Sequence, residues 1–207
     1  NPASTAVIGH GVVVHIKGML AELDKLKAAG VDAEAQRGRL ILSDRAHLVF
    51  DFHQQADGAA ERLRGKGKIG TTKKGIGPTV CSKMMRNGLR VCDLVREGDE
   101  GWASFERRFR ELAAYHQALP GMHDVAVDVE GELAFLKEAR ARVRALTVDT
   151  VEWVHDAVNS GSDLLVEGAN ATMLDIGNFP SNVTMRRDDE VQVCEEPKEL
   201  LLRKEMD

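Results

Sequence analysis

An α/β fold, with an incomplete parallel-sheet core flanked by helices, is the class that this 207-residue sequence predicts. Two features predict it. Short aliphatic and β-branched runs recur at residues 6–8, 12–16, 40–42 and 164–166. Between them lie longer stretches with apolar residues at helical spacing, and strands alternating with helices favour a sheet covered by helices. A hydrophobic content of 43% beside a charged fraction of 29% fits a globular chain able to bury one core. The core is expected to be incomplete because the chain starts at Asn1-Pro2 without a methionine and enters apolar sequence at once, like a polypeptide joined partway through a domain.

The elements follow in order. Residues 6–8 and 12–16, separated by Gly9-His10-Gly11, read as two strands or as a strand and a tight bend. Met19, Leu20, Leu23 and Leu26 set the face of an amphipathic helix over 19–29, stopped by Gly30. Residues 40–42 form a buried strand, and Ser43 or Asp44 is placed to cap a helix that continues through Gln55 to Arg64. Glycines and lysines break the pattern at 65–78, and Pro78 marks that stretch as a loop. One long helix spans about 100–118, with Trp102, Phe105, Phe109 and Leu112 on one face. A second covers about 131–158, carried by Leu133, Leu136, Val143, Leu146, Val151, Val154 and Val158. Residues 164–166 are a buried strand leading to Glu167-Gly168-Ala169-Asn170. From Gly177 charge dominates, so residues 1–176 read as a partial domain and 177–207 as a poorly ordered tail.

A net charge of −5 argues against a bulk nucleic-acid or membrane-surface binder. Three widely spaced cysteines suit reduced thiols in the cytoplasm, and no apolar run approaches the length of a membrane span.

The chemistry concentrates in Gly70-Thr71-Thr72-Lys73-Lys74-Gly75-Ile76-Gly77-Pro78. Glycines let a backbone turn and expose N–H groups, while hydroxyls and ammonium groups add donors, so the run suits an oxyanion, foremost a phosphate. Gly65-Lys66-Gly67-Lys68-Ile69-Gly70 matches G-x-G-x-x-G in spelling, but helix-like residues precede it where a dinucleotide site needs a strand. No G-x-x-x-x-G-K-[ST] motif occurs. Arg62, Arg64, Lys66, Lys68, Lys73 and Lys74 form a basic cluster that could meet RNA, although stacking aromatics are absent beside it, or could be a solvated loop. Lys83 and Arg86, three apart, share a face if their segment is helical. An arginine there could clamp a phosphate, or make a surface ion pair. Asn170, after the last strand, offers an acceptor and two donors to a base or sugar, or closes a turn on its own backbone. His47, Asp51 and His53 lack metal-ligand spacing, Ser82 and Cys81 have no base partner in sequence, and no metal site or nucleophile is assigned.

Residues 70–78, Ser82-Lys83 and the run Arg86-Asn87-Gly88-Leu89-Arg90-Val91-Cys92-Asp93-Leu94 closely resemble adenylosuccinate synthetase. So do Ile8-Gly9-His10-Gly11-Val12-Val13-Val14, Ser43-Asp44-Arg45-Ala46-His47-Leu48, and Glu167-Gly168-Ala169-Asn170 leading to Leu174-Asp175-Ile176, in a form similar to the eukaryotic branch. The resemblance implies a P-loop-NTPase-like fold and a homodimeric, GTP-dependent ligase of AMP biosynthesis. With Mg²⁺, such an enzyme joins IMP and L-aspartate to give adenylosuccinate, GDP and phosphate. Carried over residue by residue, it implies that Thr72 binds the IMP phosphate, that Arg86 reaches across the dimer to IMP of the other subunit, and that Asn170 contacts IMP. In place of the family's F-G-T-Y-P-[FY]-V-T-S-S-N segment this sequence has Gly177-Asn178-Phe179-Pro180-Ser181-Asn182-Val183-Thr184, with one inserted residue, and Thr184 is the stand-in for its IMP-contacting threonine; Lys83 falls at a functionally sensitive position as a candidate catalytic residue. The family segments G-D-E-G-K-G-K and G-H-N-A-G-H-T, with their catalytic aspartate and histidine, have no counterpart here, nor do the guanine- and aspartate-recognition loops; Val80 replaces an aromatic. The Mg²⁺ ligands are therefore expected outside this sequence, and the chain alone is expected to be inactive. The competing expectation is a non-catalytic module that pairs with intact subunits or binds RNA through residues 62–74.

Overall fold

In the computed structural model, which describes residues 4–34, 39–68 and 70–168, five short strands lie in two parallel sheets. β1 (Ala6–Ile8) pairs with β3 (Leu40–Ser43), which pairs with β5 (Thr147–Val148), giving the order β1-β3-β5. β2 (Val13–His15) pairs with β4 (His47–Val49). Ile41 and Leu42 on the central strand are both buried, as a strand covered on two faces must be. Helices α1 (Ile16–Ala28), α2 (Asp51–Leu63), α3 (Ile76–Met84), α4 (Val91–Val95), α5 (Gly98–Gln117), α6 (Val129–Leu146) and α7 (Thr150–Asn159) supply the cover. The α/β class and parallel pairing agree with the sequence.

Each helix follows from its residues. Helix α1 starts at Ile16, read as strand from the sequence; Ile16, Leu20 and Leu23 form its buried stripe at spacings of four and three, Leu26 of the expected face is 45% exposed, and Gly30 ends it in the left-handed region at φ +86°. Phe105 and Phe109 on α5 meet Phe50, and Phe109 also meets Phe52, with the Phe50 and Phe109 rings edge-on at 4.8 Å; Leu112 joins the same core. Asp128 caps α6 through the N–H of Gly131, and Asp149 caps α7 through the N–H of Val151.

Four sequence expectations are corrected. No helix starts at Ser43 or Asp44: β4 intervenes, and α2 begins only at Asp51. His47–Val49 finds backbone partners in Val13–His15, and the N–H of Leu48 donates to Leu89 O at 2.8 Å, so pairing prevails over local helical spacing. Pro78 lies inside the first turn of α3, where its missing N–H would have no intrahelical acceptor. The 131–158 helix is two helices broken by β5, since Thr147 and Val148 extend the parallel sheet and Asp149 caps a new start. Residues 164–166 form no strand; Leu165 and Val166 are about nine-tenths exposed, at 90% and 87%.

The chain divides into the units Asn1–Ala169 and Asn170–Asp207. All elements above belong to the first. Asn170, Thr184 and the charged segment 177–207 lie outside the described residues.

Candidate functional site

The glycine-lysine loop runs from Gly70 to Gly75 and leads into the N-terminus of α3. Three of its six residues, Gly70, Lys73 and Gly75, have positive φ (80°, 56° and 76°), so the chain reverses repeatedly within a few ångströms. Both ends are pinned to α2. The N–H of Gly70 donates to Glu61 Oε2 at 3.1 Å, and the N–H of Gly75 donates to Asp57 Oδ2 at 3.1 Å. Asp57 and Glu61 are one helical turn apart and both buried, so they present adjacent acceptors on one face. Gly75 lies so close to α2 that a Cβ there would meet Gln54 N at 2.8 Å and His53 C at 2.9 Å. Thr79 Oγ1 donates to Gly75 O at 2.7 Å and closes the join.

What remains in the loop is donors. Among the described residues, the backbone N–H groups of Thr71, Thr72, Lys73 and Lys74 bond to no protein acceptor, nor do those of Ile76 and Gly77 at the start of α3. The Thr71 hydroxyl is buried without a partner, while Thr72, Lys73 and Lys74 are exposed, and neither lysine has an ion pair among the described residues. Free N–H groups, a helix N-terminus, two hydroxyls and two ammonium groups suit an oxyanion, and packing requires none of them to point outward. The two carboxylates touching the loop are engaged by backbone N–H groups, so the loop offers no ligand set for Mg²⁺.

Arg86 stands at the other end of α3. It follows the C-cap Met85 with φ +61°, and its N–H donates to Lys83 O while that of Asn87 donates to Ser82 O, both at 3.2 Å. This is the double-bonded helix stop in which glycine is the usual residue at the left-handed position. An arginine there costs about 1 kcal/mol or more. Its side chain is exposed beside a cavity of about 190 Å³ lined also by Asn87, Arg108, Glu111, Leu112 and Tyr115. Met84 and Met85 are exposed next to it, at 68% and 55%. Lys83 Nζ donates to His10 O at 3.1 Å, tying α3 to the Gly9-His10-Gly11 turn. Thr72 and Arg86 are therefore on opposite ends of a nine-residue helix, about 13 Å of rise.

The block after Arg86 has a structural task. Leu89, Val91 and Leu94 are fully buried. Asp93 accepts from the N–H of Arg90 at 2.8 Å and from Arg108, which also donates to Gly88 O.

Sequence reasoning missed Asp57 and Glu61, although acidic residues among Ala56, Ala59 and Ala60 were a signal for them. It also missed the partners of Ser82. The N–H of Phe50 donates to His53 Nδ1 at 3.0 Å, which leaves the proton on Nε2, facing Ser82 Oγ at 3.5 Å. The Ser82 hydroxyl in turn faces His116 Nε2 at 3.2 Å. All three residues are buried, so the group locks α2, α3 and α5 together and is no exposed nucleophile. His47 is on a strand and Asp51 and His53 on α2; the three form no metal cluster.

Burial pushes the His53 imidazole down to about 2, with His116 adding to the effect, and pushes His116 down to about 4. Both are neutral in the folded chain, whereas the unfolded chain protonates them below pH about 6.5, so acid destabilises the fold. Burial pushes the Glu132 carboxyl up to about 8, and that group acts in the opposite sense. The expected result is therefore differential: from pH 7.5 to 5 the parent loses about 2 kcal/mol more than His116→Leu in urea unfolding. Equal losses would show that His116 protonates freely in the fold.

The adenylosuccinate synthetase family profile matches residues 1–186. The chain is 52% identical over 182 residues to adenylosuccinate synthetase of Phaeodactylum tricornutum, covering 87% of this chain and 33% of that protein. It is 48% identical over 184 residues to the chloroplastic adenylosuccinate synthetase of Chlamydomonas reinhardtii, covering 87% and 38%. A fully ligated adenylosuccinate synthetase from Plasmodium falciparum superposes with a TM-score of 0.71 at 32% identity, over 83% of this chain and 38% of that one. The chain thus spans about a third of the length of these relatives.

Proposed function

The chain belongs to the adenylosuccinate synthetase family, and from that premise we propose that it supplies the IMP-phosphate end of a GTP-dependent ligase. In the proposed reaction the γ-phosphoryl of GTP passes to the 6-oxygen of IMP. The aspartate amine then displaces that phosphate, leaving adenylosuccinate, GDP and inorganic phosphate. Phosphoryl transfer of this kind depends on positioning and charge stabilisation. The observation that carries the proposal is the loop whose ends are bonded to Asp57 and Glu61 while Thr71 to Lys74 keep their donors free. Thr72 donates to the phosphate there, and Asn170 and Thr184 are proposed to contact the same nucleotide. Lys83 acts through its bond to His10 O, holding the Gly9–Gly11 turn against α3.

Arg86 serves the phosphate of a partner subunit. The length of α3 between it and Thr72 supports this, as do the exposed Met84 and Met85 that a second copy would cover. The residues present do not fit a Mg²⁺ site at the loop, whose two carboxylates are taken by backbone N–H groups. By itself the 207-residue chain is expected to form no adenylosuccinate, because the G-D-E-G-K-G-K and G-H-N-A-G-H-T motifs that carry the family's catalytic aspartate and histidine do not occur in these residues. The cytoplasm is the proposed compartment, on the free thiols of Cys81 and Cys92. Among the described residues no helix is long and apolar enough to cross a membrane.

The test uses a chimera in which these residues replace the matched stretch of the Phaeodactylum relative. Thr72→Ala is expected to raise KM for IMP about 10-fold or more with KM for GTP unchanged, the loss of one hydrogen bond to a charged group. Unchanged KM for IMP would remove Thr72 from the site.

A further inference from the structure

Three side chains that the phosphate site does not use converge where α1, α2 and α6 begin. His15 ends β2 and precedes α1, Asp51 opens α2, and Glu132 lies in the first turns of α6. One donor atom from each lies within 4.8 Å of the other two. His15 Nε2 is 3.1 Å from Asp51 Oδ1. Two ligands bound at about 2.1 Å to one ion stand about 3.0–3.4 Å apart, the edge of an octahedron or tetrahedron, so this pair already has coordination spacing. Glu132 is 5% exposed; its Oε1 accepts the N–H of Asp51 at 2.9 Å, while its Oε2 is buried with no partner. A buried carboxylate oxygen without a donor is costly unless a cation or proton meets it.

Among the described residues the cation that meets this group is Lys17, whose Nζ donates to Asp51 Oδ2 at 2.8 Å from a half-exposed side chain. It reaches Asp51 and leaves Glu132 Oε2 unmet. A lysine of that exposure can swing into solvent at little cost and free the second Asp51 oxygen.

From this geometry we infer that His15, Asp51 and Glu132 form a binding site for a divalent transition-metal ion of the zinc class, in competition with the Lys17 ammonium. One imidazole nitrogen and two carboxylate oxygens suit Zn²⁺, with water completing the shell, better than Mg²⁺, which prefers oxygen alone. A bound ion would cross-link the starts of three helices and so stabilise the native chain by mass action.

The test is calorimetric titration of the chelator-treated 207-residue chain with ZnCl₂. One saturable equivalent is expected, with His15→Ala and Glu132→Gln each weakening it about 10-fold or more and the exposed His155→Ala leaving it unchanged. Lys17→Met is expected to tighten binding several-fold, a gain that misfolding cannot imitate. Titrations of His15→Ala and Glu132→Gln that superimpose on the parent would overturn the site. So would weaker binding by Lys17→Met, or saturable binding of MgCl₂ in place of ZnCl₂.

Discussion

Arg86→Ala in the chimera is expected to lower kcat/KM for IMP about 100-fold while KM for GTP stays within about twofold. Arginine meets phosphate through two parallel N–H donors, and losing such a charge-assisted pair is worth about 2–3 kcal/mol. The backbone makes the prediction sharper. Arg86 holds φ +61° at the stop of α3, a position that favours glycine, so its presence works against stability. Arg86→Gly should therefore raise the unfolding free energy by about 1 kcal/mol and still lose IMP use as Arg86→Ala does. A structural role would give the reverse pattern, with stability falling and catalysis kept. Steady-state kinetics and urea unfolding on the two variants separate the cases.

Gly75→Ala carries the second large effect, and here the fold is at stake. The residue sits at φ +76°, and an added Cβ would lie 2.8–2.9 Å from backbone atoms of His53 and Gln54, which have no room to retreat. Left-handed strain of about 1–2 kcal/mol and backbone overlap of about 1–3 kcal/mol together predict a loss of about 3 kcal/mol in urea unfolding. Gly77 is the control. It lies in the first turn of α3 with nothing within 4 Å of a built Cβ and no positive φ, so Gly77→Ala should change stability by less than about 1 kcal/mol. Equal losses at the two glycines would mean that the loop is not seated on α2.

The legible parts of this molecule were those with local causes. The stripes of α1 and α5, the buried β3 and the donor-rich loop follow from spacing within a dozen residues, and the motif block identified the family. The parts that escaped are set by distant partners. β4 has three residues and owes its conformation to pairing with β2, while β5 has two residues inside a continuous apolar pattern. Ser82 gains its partners from His53 and His116, 29 and 34 residues away. The acceptors that pin the loop lie 9 and 18 residues upstream on α2, where Glu61 and Asp57 read as ordinary helix residues until the loop folds over them. Arg86 shows the same limit: its type was readable as a phosphate clamp, but its left-handed backbone and its place across α3 from Thr72 were not.

Thr72 and Arg86 are proposed to serve one phosphate from two subunits. Mixing the two crippled chimeras, Thr72→Ala and Arg86→Ala, tests it most directly. Random reassortment makes half of the dimers mixed, and each mixed dimer has one site with both residues intact. Recovery of about a quarter of the unsubstituted activity is expected, from preparations that alone retain about a tenth (Thr72→Ala) and about a hundredth (Arg86→Ala) at low IMP. No recovery beyond the sum of the separate preparations, with subunit exchange verified, would place both residues in the same subunit's site and contradict it.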